Sequence, residues 1–282
     1  AALADRLEVE QNLPCMEAAQ AASTRTEFPA MADGELLPYL HQATALEAEA
    51  DVRWATRSRD RETPATDKYN FPFCLKVGTA TAPIHWGQDQ AGLADTLIQR
   101  RSTRRFNGGT LTLAELSRVL DFAYQPQHYQ DQDFDPAPDY FDLSLIQTFV
   151  AVSGVDGLDA GCYYYAPHDQ ELRQIRFQSF RRELHYLCLG QDLGRDAAAV
   201  IFHTADLQQA VARYGDRAYR YLHLDAGHLG QRLNLGAIRL GLGVSGIGGF
   251  FDDQVNEVLG IPTDEAALYI TTLGRPTEEP GG

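Results

Sequence analysis

Four short β-type runs crowded between residues 146 and 204 constrain this chain more than any other feature. They are 146–153 (IQTFVAVS), 162–166 (CYYYA), 172–177 (LRQIRF) and 197–204 (AAAVIFHT). Short apolar, aromatic and β-branched runs bounded by turn residues read as strands. Gly154, Gly157 and Gly161 part the first two, which predicts an antiparallel hairpin or meander. Helical patterns surround this cluster. One covers about 93–101 and a second covers 112–124. In the second, Thr112 and Glu115 make a capping box, and Leu113, Leu116, Val119, Leu120 and Ala123 form the apolar stripe. A long helix fits 217–241, with Leu222, Leu229, Leu233 and Leu240 on one face, and a last helix fits 252–260 before a strand at 268–273. The elements do not alternate as βαβ units. The expected class is therefore α+β, a central antiparallel or mixed sheet flanked by helices.

Residues 1–88 read differently from the rest. Ala/Glu-rich patches at 16–22 and 35–50 suggest two helices, and the polar stretch 53–67 suggests a linker. We expect 1–88 to be an arm or adaptor, with a role in docking a peptide, and 89–282 to be the main domain. Of the 282 residues, 44% are hydrophobic and 22% charged, too apolar for disorder. A net charge of −15, acidic in both parts, argues against nucleic acid or an anionic membrane as partner. Cys15, Cys74, Cys162 and Cys188 lie far apart and read as thiols in a reducing, cytoplasmic setting. Neither a signal peptide nor an apolar run of membrane-spanning length is visible. The first residue is Ala1 rather than Met, which fits processing or an incomplete sequence.

Two segments carry chemistry. Arg100, Arg101, Ser102, Arg104 and Arg105 lie at a helix end, and clustered guanidiniums repel one another unless an anion or carboxylates answer them. They form either a phosphate cradle or a solvated basic face. The stretch 241–250 (GLGVSGIGGF) follows the long helix and reads as a helix stop and turn, or as backbone bared for a planar ligand. Its GxGxxG-like fragment follows a helix rather than a strand, so it is not a dinucleotide site. Gly227, Gly230 and Gly236 inside the helix suggest close packing or a nearby cofactor. The acidic run 131–142 has Pro136 where a calcium loop requires glycine, and no metal-ligand cluster is visible.

Five segments in order resemble the nitroreductase superfamily of FMN enzymes: RRSTRRF, GLDAGCYYYAP, RYGDRAYRYLHLDAGHLGQRL, GVSGIGGFFDD and TTLGRP. The second and third are similar to SagB-type azoline dehydrogenases, which oxidise thiazolines and oxazolines in ribosomal peptides; cyanobactin oxidases are one branch. The resemblance covers about residues 93–276. It implies that Arg100, Arg101, Ser102, Arg104 and Arg275 hold the FMN phosphate and ribityl chain. It also implies that Gly248 and Gly249 lie against the flavin ring, one backbone N–H facing N5, and that the protein is a homodimer joined partly by the long helix.

The sequence departs from that pattern twice. The family's Pro-Ser-x-Gly segment is missing from the 125–144 stretch, and its Lys–Tyr base pair lacks the lysine, since the only lysines are Lys68 and Lys76. Tyr219 and Tyr214 are the nearest substitutes, with Arg217 and Arg220 as cations able to depress a phenol, and His223 and His228 stand behind them. The expected function is an FMN-dependent oxidoreductase that oxidises peptide azolines and returns electrons to O₂. The alternatives are an NAD(P)H-driven nitro or quinone reductase, and a flavin- or peptide-binding module without turnover.

Overall fold

The computed structural model describes residues 34–45, 67–81, 90–125 and 143–277, together with Ala32. The helices are α1 (Leu36–Ala43), α2 (Gln90–Gln99), α3 (Leu113–Tyr124), α4 (Arg181–Leu187), α5 (Asp192–Asp196), α6 (Leu207–Tyr214), α7 (Ala218–Arg239) and α8 (Asp252–Leu259). The strands are β1 (Lys76–Gly78), β2 (Leu111–Thr112), β3 (Gln147–Val152), β4 (Val155–Asp156), β5 (Gly161–Ala166), β6 (Glu171–Arg176), β7 (Ala199–Asp206), β8 (Gly243–Ile247) and β9 (Glu265–Gly274). Seven of them make one sheet in the order β1-β6-β5-β3-β7-β9-β8. Every neighbouring pair in it is antiparallel. β2 and β4 form a short parallel pair. The protein is α+β, and the acidic run 131–142 and the patch 16–22 lie outside the described residues.

The central strands are covered on both faces, which is why they read as continuous apolar runs rather than alternating ones. Side chains along a strand alternate between faces. Ala199 and Ile201 of β7 therefore join Leu116, Leu120, Leu229 and Leu233 of α3 and α7 in one core. Val200 and Phe202 join Phe180, just before α4, and Leu184, Val255 and Leu259 of α4 and α8 in the other. β5 divides in the same way, with Tyr163 and Tyr165 on the first side and Tyr164 on the second. At the start of α3 the capping box forms as expected. Thr112 Oγ1 accepts from the Glu115 amide at 3.2 Å, and Glu115 Oε2 accepts from the Thr112 amide at 2.8 Å.

The segment 241–250 corrects the sequence reading. It is not only a turn: residues 243–247 form the edge strand β8, paired with β9. Its glycines hide the strand signal because they give way to neighbouring side chains. A Cβ on Gly246 would lie 1.8 Å from the Tyr269 hydroxyl, and one on Gly230 of α7 would lie 2.6 Å from Tyr269 Cε1. The Tyr269 ring is clamped between helix and strand by two absent side chains. Gly236 gives similar room to Phe122 of α3 at 3.2 Å, whereas Gly227 faces open space. This contrast predicts opposite effects on one helix. Gly230→Ala should destabilise by about 1–3 kcal/mol through overpacking. Gly227→Ala should stabilise by about 0.5–1 kcal/mol through helix propensity. Urea unfolding midpoints at constant slope check both, and equal shifts would refute the clamp.

Part of the 1–88 stretch belongs to the sheet. β1 pairs with β6, and the turn before it is tied down by ions. Arg173 of β6 is fully buried and pairs with Asp67, Asp169 and Glu171, and also donates to the Lys68 carbonyl at 2.8 Å. Lys68 pairs with the buried Glu265 of β9, which also accepts from the Thr204 hydroxyl. Between these anchors Tyr69, at φ 58, sets its ring against Phe149 and Tyr164. Of the thiols, Cys162 and Cys188 are buried and free, and Cys74 is half-buried and free.

Candidate functional site

The arginine segment leaves the end of α2 without regular secondary structure and is stitched to two strand ends. The Thr103 amide donates to the Val244 carbonyl at 2.8 Å, and the Val244 amide returns a bond to Thr103 Oγ1 at 2.9 Å. Phe106 bridges to Pro276, the Asn107 amide donates to the Arg275 carbonyl at 3.0 Å, and the Thr277 amide donates to the Arg105 carbonyl at 3.1 Å. Phe106 is buried because Gly243 and Gly274 lack side chains; a Cβ on either would lie within 3 Å of its ring. The motifs RRSTRRF, GVSGIGG and LGRP are therefore neighbours in space.

With Thr103 and Phe106 turned inward, the cations stay outside. No hydrogen-bond or ion-pair partner for the side chains of Arg100, Ser102, Arg104 or Arg105 exists among the described residues. Arg101 instead closes the end of α2, donating to the carbonyls of Ile98 at 2.9 Å and Arg100 at 2.8 Å. Arg275 is also engaged, with Glu115 at 2.7 Å and the Thr110 carbonyl at 3.0 Å. Although partial burial works the other way, the Thr112 amide and the Arg275 guanidinium hold the Glu115 carboxyl below its usual range. Further along β8, about 16 Å from Gly243 at a strand's rise per residue, Gly248 and Gly249 are exposed. A Cβ on Gly248 would meet nothing within 4 Å. Unanswered guanidiniums at one end and bare backbone at the other fit an elongated ligand with a phosphate and a planar ring, as FMN has.

The tyrosines are arranged otherwise than their order along the chain suggests. Arg217 and Tyr221 are four residues apart and so share a helix face. The Arg217 Nε donates to the Tyr221 hydroxyl at 2.8 Å, and another Arg217 nitrogen donates to the Thr44 carbonyl beyond α1. Tyr214 packs edge-on against Tyr221, ring centroids 5.7 Å apart. Tyr219 points elsewhere, 45% exposed, with its ring 4.3 Å from that of His223. Arg217 thus serves Tyr221, a residue sequence reasoning passed over, although the i, i+4 spacing would have found it. These tyrosines sit near the start of α7, about 15 Å along the helix from Gly230 by its rise per residue. Within one chain the described contacts do not bring them to the arginines.

Two other imidazoles are shifted toward their neutral form by burial. Burial, and secondarily Arg232, lowers the proton affinity of His228. His203, fully buried, bonds through Nε2 to the Tyr124 hydroxyl at 2.9 Å, which also bonds Thr148 Oγ1 at 2.8 Å. Burial pulls His203 from 6.5 down to about 3. The unfolded chain therefore binds a proton that the folded chain refuses as pH falls below 6.5. Stability is full above that value and declines until about pH 3, with about 2 kcal/mol lost between pH 8 and 5 from this residue. His203→Gln should flatten the unfolding free energy over that range by the same amount; an unaltered slope would show that His203 titrates normally. Among the described residues, no group of three or more His, Cys, Asp or Glu could hold a metal, and no helix is long and apolar enough to cross a membrane.

Residues 97–275 match the nitroreductase family, and the chain belongs to it. Members of this family are flavin oxidoreductases that typically bind FMN. A proposed nitroreductase of Anabaena variabilis, known as a crystal structure, is 65% identical with a TM-score of 0.79; the match covers 91% of this chain and 50% of that one. A proposed nitroreductase of Methanocaldococcus jannaschii is 33% identical over 190 residues, 67% of this chain and 94% of its own length. The trifolitoxin operon protein TfxC of Rhizobium leguminosarum bv. trifolii is 30% identical over 172 residues, 55% of this chain. The chain spans about half the length of the Anabaena protein and of TfxC.

Proposed function

We propose that this chain binds FMN along β8 and oxidises thiazoline or oxazoline rings of a ribosomal peptide to thiazoles or oxazoles, with O₂ as final electron acceptor. The observation that carries the flavin reading is the set of guanidiniums at Arg100, Arg104 and Arg105 without a described carboxylate, beside Ser102 and leading to the bare Gly248. In this reading Arg100, Ser102 and Arg104 hold the phosphate, while Arg101 and Arg275 border it and brace the adjoining backbone. FMN seated there would accept the hydride lost from the azoline ring.

The ring also loses a proton, and this chain must supply the group that takes it. Tyr219 is the best placed by exposure, with Tyr214 and Arg217 in the neighbouring cluster around Tyr221. The arginines and the tyrosines lie toward opposite ends of α7, so a second copy crossing α7 in the opposite sense would complete the site. The exposed Leu224 on that helix and Leu97 and Ile98 on α2 support such a homodimer. The peptide assignment draws on the SagB-like motifs and on the relative from the trifolitoxin operon.

Mass spectrometry of an azoline peptide incubated with flavin-loaded protein in air tests this reading; a loss of two mass units is expected. NAD(P)H oxidation without peptide, and no mass change with it, would favour the reductase reading, which the Methanocaldococcus relative supports. Flavin that binds tightly but is reduced by neither would mark a binding module.

A further inference from the structure

The end of α4 holds a leucine where glycine would be unstrained. Leu189 and Gly190 are successive residues at positive φ, 58 and 74. Their amides close the helix by donating to the carbonyls of Tyr186 and His185, each at 2.9 Å. Such a stop favours glycine, because a Cβ is strained in the left-handed region. Gly190 meets that preference and Leu189 does not. Leu189 also gains little from burial, since it is 50% exposed. A strained residue that leaves apolar surface in water points to a role outside its own turn.

The surroundings show what that role touches. A Cβ on Gly249 would lie 3.1 Å from Leu189 Cδ1, so the leucine rests on the backbone that follows β8. The two segments are joined on either side. The Phe251 amide donates to the Leu187 carbonyl at 3.3 Å, and the Tyr186 and Phe251 rings stack with centroids 4.8 Å apart and planes at 22°. Leu189 therefore stands on a braced wall beside the open backbone of Gly248 and Gly249.

We infer that Leu189 is a ligand-contacting residue, held in its strained turn to pack against the flavin ring at Gly248–Gly249 and to bound the space where substrate meets that ring. This rests on the FMN reading above. Its apolar side chain would shed water against the ring, and a rigid turn keeps it in place without loop ordering on binding.

Leu189→Gly tests the inference because it removes the side chain while favouring the turn. The apoprotein should melt no lower than wild type, and a few degrees higher if relief of strain dominates. The FMN dissociation constant, from quenching of flavin fluorescence, should rise about tenfold. Leu189→Asn tolerates the same backbone and should weaken FMN similarly, with a shifted flavin absorption band reporting a wetter ring. A lower apoprotein melting temperature with unchanged FMN affinity and spectrum would overturn the inference and leave Leu189 a packing residue. Wild-type protein that fails to bind FMN would overturn the parent reading, and this one with it.

Discussion

Lys68→Met should lower the unfolding free energy by about 2–4 kcal/mol, since it strands the buried Glu265 carboxylate without its part-buried cation. Glu265 has no side-chain exposure, and Lys68 is its cation; Thr204 contributes a hydroxyl bond but no charge. The carboxylate is then left without a countercharge in a poorly solvated site. Guanidinium unfolding at pH 7 measures the loss. A Lys68→Met, Glu265→Leu double variant should recover most of it, since two apolar groups leave only Thr204 without its acceptor. A loss below 1 kcal/mol would show that the turn at 67–70 is loosely held. The same geometry bears on the arm. Truncation before Asp67 keeps both anchors, whereas truncation at 88 removes Asp67, Lys68 and β1 together and exposes the polar partners buried beneath them.

Arg104→Ala should weaken FMN binding by about 1.5–3 kcal/mol, roughly 10- to 150-fold, the size of a charge-assisted hydrogen bond. Arg104 has no described protein partner, so its removal should scarcely alter the melting temperature of the apoprotein. Isothermal titration with FMN, and with riboflavin as the phosphate-free control, separates the contributions: the variant should bind riboflavin as wild type does. Equal affinity of wild type and variant for FMN would return the cluster to the status of a solvated basic face. Arg275→Ala should behave differently. Its guanidinium braces Glu115 and the Thr110 carbonyl at the start of α3, so apoprotein stability should fall along with affinity.

Much of the fold was legible in the sequence, for local reasons. The capping box of Thr112 and Glu115, the apolar stripe of α3 and the length of α7 all follow from contacts within a few residues. The central strands β3, β5 and β7 were legible because burial on both faces selects unbroken apolar runs. β8 was not, because its glycines answer to Tyr269, Phe106 and Thr103, residues far away in the sequence. β1 was missed for a related reason: a three-residue strand carries little pattern and is held by pairing with β6 and by ions on Arg173.

The candidate site divides the same way. Residue type and spacing determined the cluster of guanidiniums and its demand for a countercharge, because mutual repulsion between neighbouring cations does not depend on the fold. They also determined the scarcity of lysine, and so the search for another base. Only the tertiary structure decided which cations are left unanswered. It turned Arg101 onto a helix end and Arg275 onto Glu115, gave Arg217 to Tyr221 rather than Tyr219, and set Leu189 against Gly249. The physical reason is range. Charge density, helix capping and strand burial are properties of short stretches of chain, whereas the partner of a guanidinium or the neighbour of a glycine is whatever the sheet order brings within a few ångströms.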